Sequence, residues 1–304
     1  EGCNVDGVSL RALRHPLLVW RSPAEAPDAS AVVPMDFRVP AGVRGVVITG
    51  PNTGGKTVAL KTLGISALMA KAGLWPLCDG DGGGGGGDDD SAQQIPWFDT
   101  VMADIGDDQS IVQSLSTFSA HVRRVQRILG SASEASLVLL DEVGSGTDPT
   151  EGAALGMALL RSLADRAALT MCTTHHGRLK SLKYGDRRFE NACVEFDVES
   201  LAPTYRLLWG IPGKSNALAI ARRLGLQPAV VGDARGLLTE EEVSIEEVVA
   251  ELQQQRDEAR QLNAALVARR VEAERAAAEA AAATAAAQQE QRQMRAALER
   301  DLAG

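Results

Sequence analysis

The glycine-rich turn at residues 50–57 constrains this chain more than any other stretch. It reads Gly-Pro-Asn-Thr-Gly-Gly-Lys-Thr, which matches G-x-x-x-x-G-K-[ST], and it follows the apolar, strand-like run of residues 45–49. Glycine lets backbone N–H groups converge on phosphate oxygens where a Cβ would intrude, and the N-terminus of a following helix adds positive potential. The pattern therefore predicts a phosphate-binding loop between a strand and a helix that runs from about Thr57 to Ala72.

Individual residues of this loop are predicted to have separate roles in binding a nucleotide. Lys56 reaches the β- and γ-phosphates, and the Thr57 hydroxyl is placed to ligate Mg²⁺. No Asn-Lys-x-Asp motif, which small GTPases use to recognise guanine, occurs in the sequence, so ATP with Mg²⁺ is the predicted ligand. The predicted nucleotide-binding residues are Gly50, Pro51, Asn52, Thr53, Gly54, Gly55, Lys56 and Thr57.

Two further apolar runs lead to polar residues that are expected at the same site. The run at 136–140 ends in Asp141 and Glu142, as a strand buried on both faces does when it carries carboxylates at the ligand-binding edge of a sheet. Asp141 is predicted to hold the hydration shell of the metal, and Glu142 to orient or deprotonate the attacking water. This acid pair disfavours a small-molecule kinase.

The third run, residues 168–172, leads into Thr-Thr-His-His at 173–176. One of these histidines can contact the γ-phosphate, although a histidine at a strand end is also often only a satisfied polar residue. A hydroxyl-rich stretch at 113–121 precedes a helix that is predicted to end near Leu129. Ser116 or Thr117 is placed to cap that helix and to leave N–H groups free for an anion, and the residues alone do not separate these two roles.

Several of these segments together resemble the ATPase domain of the MutS family, over roughly residues 10–240. The resemblance is carried by residues 50–57, Ser-Leu-Ser-Thr-Phe at 114–118, Leu-Leu-Asp-Glu-Val-Gly-Ser-Gly-Thr-Asp-Pro at 139–149 and Thr-Thr-His at 173–175. Its second branch, the recombination-suppressing paralogue of bacteria and plastids, is the most similar. That branch is favoured by Arg-His-Pro-Leu-Leu at 14–18, Ala-Asp-Ile-Gly-Asp at 103–107 and Gly-Ile-Pro-Gly-Lys-Ser-Asn-Ala at 210–217.

The resemblance implies an α/β fold, a P-loop NTPase of the ATP-binding-cassette type with a mostly parallel sheet flanked by helices. It also implies that Asn52 contacts phosphate, that Asp141 is the Walker B acid and that Glu142 and His175 are the catalytic base and the switch histidine. Thr57, Asp141 and Gln109, which falls near the metal-sensing loop, are the metal residues that it implies.

The same resemblance implies a homodimer with composite sites. Ser116 would act in trans on the nucleotide of the partner subunit, and the loop at 144–149 would cross the dimer seam, with no evident role for either inside one subunit. ATP hydrolysis would gate binding to branched DNA and so restrain recombination, with a related role in DNA repair. The alternatives are an ATPase that acts on stalled ribosomes and a structural scaffold that combines a cassette head with a coiled coil.

The chain departs from the family pattern at a few positions. Met35 stands where a polar residue is usual, His176 where an aromatic residue is usual, and Val143 where leucine is usual, but none of these changes removes a catalytic group. Residues 79–90 form an insertion of glycine and aspartate, which lacks side chains for a core and is predicted to be a mobile surface loop.

The composition changes near residue 239, so an ATPase domain at 1–238 and a helical segment at 239–304 are predicted. Apolar residues recur at helical spacing from Ile245 to Leu266 and give way to an alanine-rich tract, which favours a long helix but offers little to bury. A solvated helix and a coiled coil are both compatible with this pattern. The chain opens on Glu1 and lacks the small nuclease domain usual in this branch, so we interpret it as a fragment that does not encode a nuclease.

Charge and cysteine content bear on partners and compartment. The net charge is −9, whereas a DNA-binding face is normally basic, and the dense basic cluster at 178–188 is more often a solvated face. DNA binding is implied by the family resemblance, which also implies that the contacts come mostly from parts absent from this chain. The four cysteines lack metal-binding spacing, which favours a reducing intracellular compartment, cytoplasm with nucleoid or plastid. No apolar stretch long enough to cross a membrane is visible.

Overall fold

The structure is a computed structural model in which two compact units, Glu1–Val249 and Ala250–Gly304, can be recognised. The residues that it describes are 7–21, 32–51, 54–78, 93–106, 117–197, 202–213, 217–237, 255, 258–259, 261–263, 265–277, 279–282, 284 and 288–289. Asn52, Thr53, Gln109, Ser116, the insertion at 79–90 and the predicted domain boundary near 239 lie outside these ranges.

The first unit alternates strands and helices along the chain, as the sequence predicts. The elements are β1 (Val8–Leu13), α1 (Pro16–Arg21), β2 (Met35–Val39), β3 (Gly45–Thr49), α2 (Lys56–Lys71), β4 (Thr100–Asp104), α3 (Thr117–Ser131), β5 (Ser136–Leu140), α4 (Pro149–Ala164), β6 (Leu169–Thr173), a 3₁₀ helix (Gly177–Ser181), α5 (Leu182–Gly185), β7 (Phe189–Asp197), β8 (Ala202–Trp209), α6 (Ala217–Arg223) and α7 (Pro228–Gly236). The predicted helix after the phosphate loop and the third predicted strand are each displaced by one residue, which is within the ordinary uncertainty of element ends.

Six strands form the main sheet in the order β4-β5-β6-β3-β7-β8. The first five are parallel neighbours, and β8 pairs antiparallel with β7 at the edge. This confirms the predicted α/β class with a mostly parallel sheet. Because β6 lies between β3 and β5, the loops that follow these three strands emerge side by side at one edge of the sheet.

Both faces of this sheet are buried, which explains why its strands are continuously apolar. Alternate side chains point to opposite faces: Val46 and Ile48 of β3 join a core cluster with Leu60 and Leu63 of α2. Val47 joins a second cluster that includes side chains of α4 and the 3₁₀ helix. The helices thereby hold the carboxyl ends of the strands in a fixed register.

A smaller antiparallel pair, β1 and β2, lies against the edge of the main sheet. The Trp209 indole donates a hydrogen bond of 2.8 Å to the carbonyl oxygen of Asp36, and its ring meets that of Phe37 edge-on at 6.4 Å between centroids. Met35, one of the departures from the family pattern, is buried in this core.

The second unit is helical at each of its described residues between 255 and 289, and those side chains are exposed. Surface ion pairs join Arg270 to Glu274 and Arg275 to Glu279 at i,i+4 spacing, and exposed pairs at this spacing support a helix only weakly. Leu262 and Leu266 of the predicted apolar stripe are more than half exposed. The choice between a solvated helix and a coiled coil stays a prediction.

Candidate nucleotide-binding site

The phosphate loop connects β3 to α2, as the motif predicts. Gly50 has φ +131° and Gly55, which precedes the first turn of α2, has φ +86°, conformations that residues with a Cβ rarely adopt. The N–H of Gly54 donates to the carbonyl oxygen of Pro51 at 3.1 Å. Lys56 and Thr57 are the first two residues of the helix, so both side chains start from its positive end.

The loop packs tightly on residues from far along the chain. A Cβ at Gly50 or Gly54 would lie only 2.6 or 2.5 Å from Cγ2 of Val194. On another side, a Cβ at Gly213 would lie 3.0 Å from the backbone nitrogen of Gly50, and one at Gly55 would lie 3.0 Å from the Tyr205 ring. Packing therefore disfavours a side chain at all four glycines, and the backbone conformation adds to this at Gly50 and Gly55.

Lys56 is the buried cation of the loop, with only 4% of its surface exposed. Its ammonium donates to the carbonyl oxygens of Gly50 at 2.6 Å and Pro51 at 3.1 Å. Burial lowers the pKa of Lys56 to about 8, although the nearby charges of Glu142 and Asp141 oppose this shift. With this pKa, Lys56 is still mostly protonated at neutral pH and loses its charge at about pH 8.

Asp141, directly after β5, meets two hydroxyl groups. Thr57 Oγ1 donates a hydrogen bond of 2.8 Å to Asp141 Oδ2, and Thr173 Oγ1 donates to Asp141 Oδ1. The backbone N–H of Asp141 donates to the carbonyl oxygen of Asp104 at the end of β4 at 2.9 Å. The predicted phosphate-loop hydroxyl and the predicted Walker B acid are therefore in direct contact.

Glu142 follows in a left-handed backbone conformation, φ +52°, which is uncommon for a residue with a side chain. Its N–H donates a hydrogen bond of 2.8 Å to Thr173 Oγ1. The carboxylate is about half exposed, and Oε1 lies 3.7 Å from Nε2 of His175. Burial lowers the pKa of His175, helped by the charge of Lys56 and opposed by Glu142, so at neutral pH this imidazole is mainly uncharged.

The loop at 144–149 has intramolecular contacts that the sequence did not reveal. The Asp148 carboxylate accepts hydrogen bonds from the N–H groups of Thr150 and Glu151 and so caps α4, with Pro149 in the first turn. Gly144 packs so closely on α4 that an added Cβ would lie 2.6 Å from the carbonyl oxygen of Gly152. The expectation that this loop has no role inside one subunit is wrong for Asp148, because the free N–H groups of a helix start need an acceptor.

The basic cluster at 178–188 is largely engaged in intramolecular contacts. Lys180 donates to the carbonyl oxygen of Gly213 at 2.8 Å, and Lys183 donates to that of Gly210 at 2.8 Å. Arg188 pairs with Asp186 and Asp165, which together raise its pKa. Both lysines of the cluster thus bind carbonyl oxygens of the 210–213 segment, whereas Arg178 and Arg187 are exposed.

The residues that converge here fit Mg²⁺ and a polyphosphate. Thr57 Oγ1 and Asp141 Oδ2 are oxygen atoms within hydrogen-bond distance of each other. Mg²⁺ prefers such oxygen ligands, and phosphate oxygens and water usually complete its coordination shell. Lys56, Glu142 and His175 lie around the same edge. The motifs predicted these five residues, and the third apolar run placed Thr173 at the same edge without a specific role, whereas Val194 and Gly213 were missed as parts of the site. The sequence signal for Thr173 was its hydroxyl at the end of a buried strand.

Most of the first unit matches a known protein family. Residues 46–243 match the model of MutS domain V. The chain is 52% identical over 272 residues to the Endonuclease MutS2 of Synechocystis sp., a match that covers 84% of this chain and 32% of that protein. It is 51% identical over 236 residues to the Endonuclease MutS2 of Symbiobacterium thermophilum, covering 78% of this chain and 27% of that protein.

A further Endonuclease MutS2, from Caldicellulosiruptor saccharolyticus, is 45% identical over 257 residues, which are 84% of this chain and 30% of that protein. The chain thus spans about a third of the length of the curated relatives that it matches. In the part of the chain that the structure describes, no helix is long and apolar enough to span a membrane.

Proposed function

The chain belongs to the MutS family, in the branch of the MutS2 proteins, and from this premise we propose that its first unit binds Mg·ATP and hydrolyses it. The observation that carries the proposal is the hydrogen bond from Thr57 Oγ1 to Asp141 Oδ2. It joins the phosphate loop to an acid from a different strand, at the carboxyl edge where α/β sheets bind ligands.

Each residue at this edge has a role that its environment supports. Lys56 and the loop N–H groups bind the β- and γ-phosphates, exchanging the carbonyl contacts of the ammonium for phosphate oxygens. Glu142, half exposed beside the site, orients the attacking water and accepts its proton. His175, kept uncharged by burial, accepts or donates a hydrogen bond at the γ-phosphate without adding a second cation.

Thr57 and Asp141 would hold Mg²⁺, with Gln109 proposed as a further residue on the metal side. When bound, Mg²⁺ neutralises negative charge on the β- and γ-phosphates. The hydroxyls of Thr57 and Thr173, which each donate to one oxygen of Asp141, fix the orientation of its carboxylate.

We further propose that the active assembly is a homodimer. Ser116 directly precedes α3, and Gly146 of the 144–149 loop lies beside Phe118 at the start of that helix, where an added Cβ would come within 3.4 Å of Phe118 Cβ. The loop and the start of α3 therefore share one surface, as residues that act together on the nucleotide of a partner should.

The proposed consequence of hydrolysis is control of DNA binding by the intact protein. The proposed DNA substrates are branched recombination intermediates. Within this chain, the proposed ATPase domain comprises residues 1–238 and is followed by a helical segment at 239–304. The relatives are named endonucleases, but the site built here is one for phosphate and metal-assisted water attack on ATP, so we restrict the proposal to ATP hydrolysis. Lys180 and Lys183 bind carbonyl oxygens within this chain, which supports the proposal that most DNA contacts come from other parts of the intact protein.

The deciding experiment measures ATP turnover by the intact protein with Mg²⁺ and with the metal chelated, and then with duplex DNA, branched DNA or ribosomes added. We expect turnover that requires Mg²⁺ and responds most strongly to branched DNA. Metal-independent turnover would contradict the proposed site. A response to ribosomes alone would replace DNA as the partner and leave the ATPase proposal intact.

A further inference from the structure

The side chain of Thr173 lies at the centre of the site, although no motif assigns it a task. Thr173 is the last residue of β6 and is fully buried. Its hydroxyl accepts a hydrogen bond of 2.8 Å from the N–H of Glu142 and donates one to Asp141 Oδ1. One hydroxyl therefore contacts both the proposed metal-binding acid and the backbone of the proposed base.

In this arrangement the Thr173 hydroxyl acts as donor and acceptor at once. A threonine hydroxyl has one proton to donate and lone pairs to accept, and here the proton goes to Asp141 while a lone pair receives the Glu142 N–H. With Oδ1 held by Thr173, Oδ2 is turned toward Thr57. The orientation of the carboxylate is thus determined from both sides.

The same hydroxyl supports the unusual backbone of Glu142. A residue with a Cβ at φ +52° is strained and persists only when its surroundings compensate. The hydrogen bond from Glu142 N–H to Thr173 provides such support, and a second one, from Val143 N–H to the Thr173 carbonyl oxygen at 2.9 Å, continues it. The left-handed turn directs the chain away from β5 and leaves the Glu142 carboxylate half exposed at the site.

We propose that Thr173 is a positioning residue of the ATPase, whose hydroxyl orients Asp141 toward the metal and holds Glu142 in its left-handed turn. The inference rests on the proposed Mg·ATP site and deepens it. Groups that orient metal ligands from behind typically change metal affinity or activity by about 10–100-fold when they are lost. Losing the hydroxyl should therefore weaken metal binding and slow turnover, with little change in the KM for ATP, because Thr173 does not contact the phosphate loop in any of the bonds described above.

The test compares three variants of the intact protein. Thr173→Val keeps the shape and removes the hydroxyl, whereas Thr173→Ser keeps the hydroxyl and removes a methyl group. The matched control is Thr170→Val, because Thr170 lies on the same strand, is equally buried, and has a hydroxyl without a hydrogen-bond partner among the described residues. Thermal unfolding checks that each variant is folded, and Thr173→Ala replaces Thr173→Val if the valine variant does not fold.

Two measurements are made on each variant. The first is Mn²⁺ binding in the presence of ADP, for which the electron paramagnetic resonance signal of free Mn²⁺ is the readout. The binding of ADP without metal is measured separately in the presence of a chelator. The second is kcat and KM for ATP. We expect Thr173→Val to lose about 10–100-fold in Mn²⁺ affinity and in kcat, with metal-free ADP binding unchanged, and we expect Thr173→Ser and Thr170→Val to behave like the wild type.

Wild-type Mn²⁺ affinity and kcat in folded Thr173→Val would overturn the inference. An equal loss in folded Thr173→Ser would also overturn it, because shape and not the hydroxyl would then be responsible. Failure of the proposed function itself has a different signature: the wild-type protein would show no Mg²⁺-dependent turnover of ATP.

Discussion

Thr57 Oγ1 and Asp141 Oδ2 lie 2.8 Å apart although 84 positions separate them in the chain. Thr57 lies in the first turn of α2 and Asp141 follows β5, a strand that is not adjacent to β3. The contact depends on β6, which lies between β3 and β5 and carries Thr173 to the far side of the same carboxylate. Phosphate-loop and metal-binding residues are thus assembled by three parallel strands that end at one edge.

Lys56→Ala should lose ATP binding, because the loop loses the cation that contacts the terminal phosphates. A hydrogen bond to a charged group contributes about 1.5–3 kcal/mol, which corresponds to roughly ten- to hundredfold in affinity. Isothermal titration calorimetry of ATP measures this directly. Lys61→Ala, an exposed lysine on the same helix, is the control and should bind as the wild type does. Equal affinity in the two variants would remove Lys56 from the site.

ATP binding should also take up a proton at alkaline pH. The pKa of Lys56 is lowered to about 8, so above pH 8 most molecules carry a neutral lysine that must be protonated to meet the phosphates. Near pH 9 the uptake should approach one proton, about 0.9, and affinity should fall up to about tenfold for each further pH unit. Calorimetry in two buffers of different ionisation enthalpy measures the uptake. An identical binding enthalpy in both buffers would contradict the expectation.

Glu142→Gln should bind Mg·ATP with nearly wild-type affinity but hydrolyse it slowly. The amide still accepts a hydrogen bond from water but cannot take its proton, and loss of a general base costs about 10²–10⁴-fold in rate. Single-turnover hydrolysis separates the chemical step from binding. Glu134→Gln, exposed and ahead of β5, is the control. If Glu142→Gln turns over at the wild-type rate, the base lies elsewhere, and His175 is the next candidate.

Asp104 should make the stability of the first unit depend on acid pH. Burial raises the pKa of this carboxyl, but hydrogen bonds and charges from His121 and Arg124 outweigh burial and leave the pKa below its ordinary value. A depressed folded-state pKa stabilises the folded protein above the unfolded value of about 3.9. That contribution is lost as the pH falls through the lower folded-state pKa.

Asp104→Asn should therefore destabilise the protein at pH 7 by about 1–3 kcal/mol, because the amide offers Arg124 and His121 one neutral acceptor in place of two carboxylate oxygens. Urea denaturation at a series of pH values measures the difference, which should shrink below about pH 4. Asp165→Asn removes one side of an exposed pair with Arg188 and should cost less than about 1 kcal/mol. A pH-independent difference for Asp104→Asn would show that its charge is not the cause.

The composite site predicts that ATPase activity per chain rises with protein concentration, because a partner must complete each site. Ser116→Arg should bind ATP yet fail to dimerise and to turn over, since a bulky cation would enter the seam. Ser131→Arg, exposed at the other end of α3, is the control for the substitution itself and should remain active. Analytical ultracentrifugation and steady-state hydrolysis report the two properties.

Mixing Ser116→Arg with Lys56→Ala tests the same idea without relying on a loss of function. A mixed dimer keeps one site in which an intact phosphate loop faces an intact Ser116, so partial hydrolysis should return. A mixture that stays inactive while both variants are folded, or wild-type activity that does not depend on concentration, would show that the site is complete within one subunit.

Much of the local structure followed from the sequence because it depends on neighbouring residues. The strand before the phosphate loop was predicted at residues 45–49 and occurs as Gly45–Thr49, because an apolar run bounded by glycine admits few alternatives. The basic cluster at 178–188 shows the opposite case. Its spacing gave no indication that Lys180 and Lys183 bind carbonyl oxygens of residues 210–213, which are remote in the chain.

By itself, the sequence determined the α/β class, the family and the glycine-rich loop between β3 and α2, because each is encoded by residue types at fixed short spacing. The tertiary structure alone decided which hydroxyl holds Asp141 and which side chains pack against that loop. These contacts depend on strand order, since β6 and β7 flank β3 although they come late in the chain. Strand order is set by how helices cover both faces of the sheet, and short motifs do not encode this order.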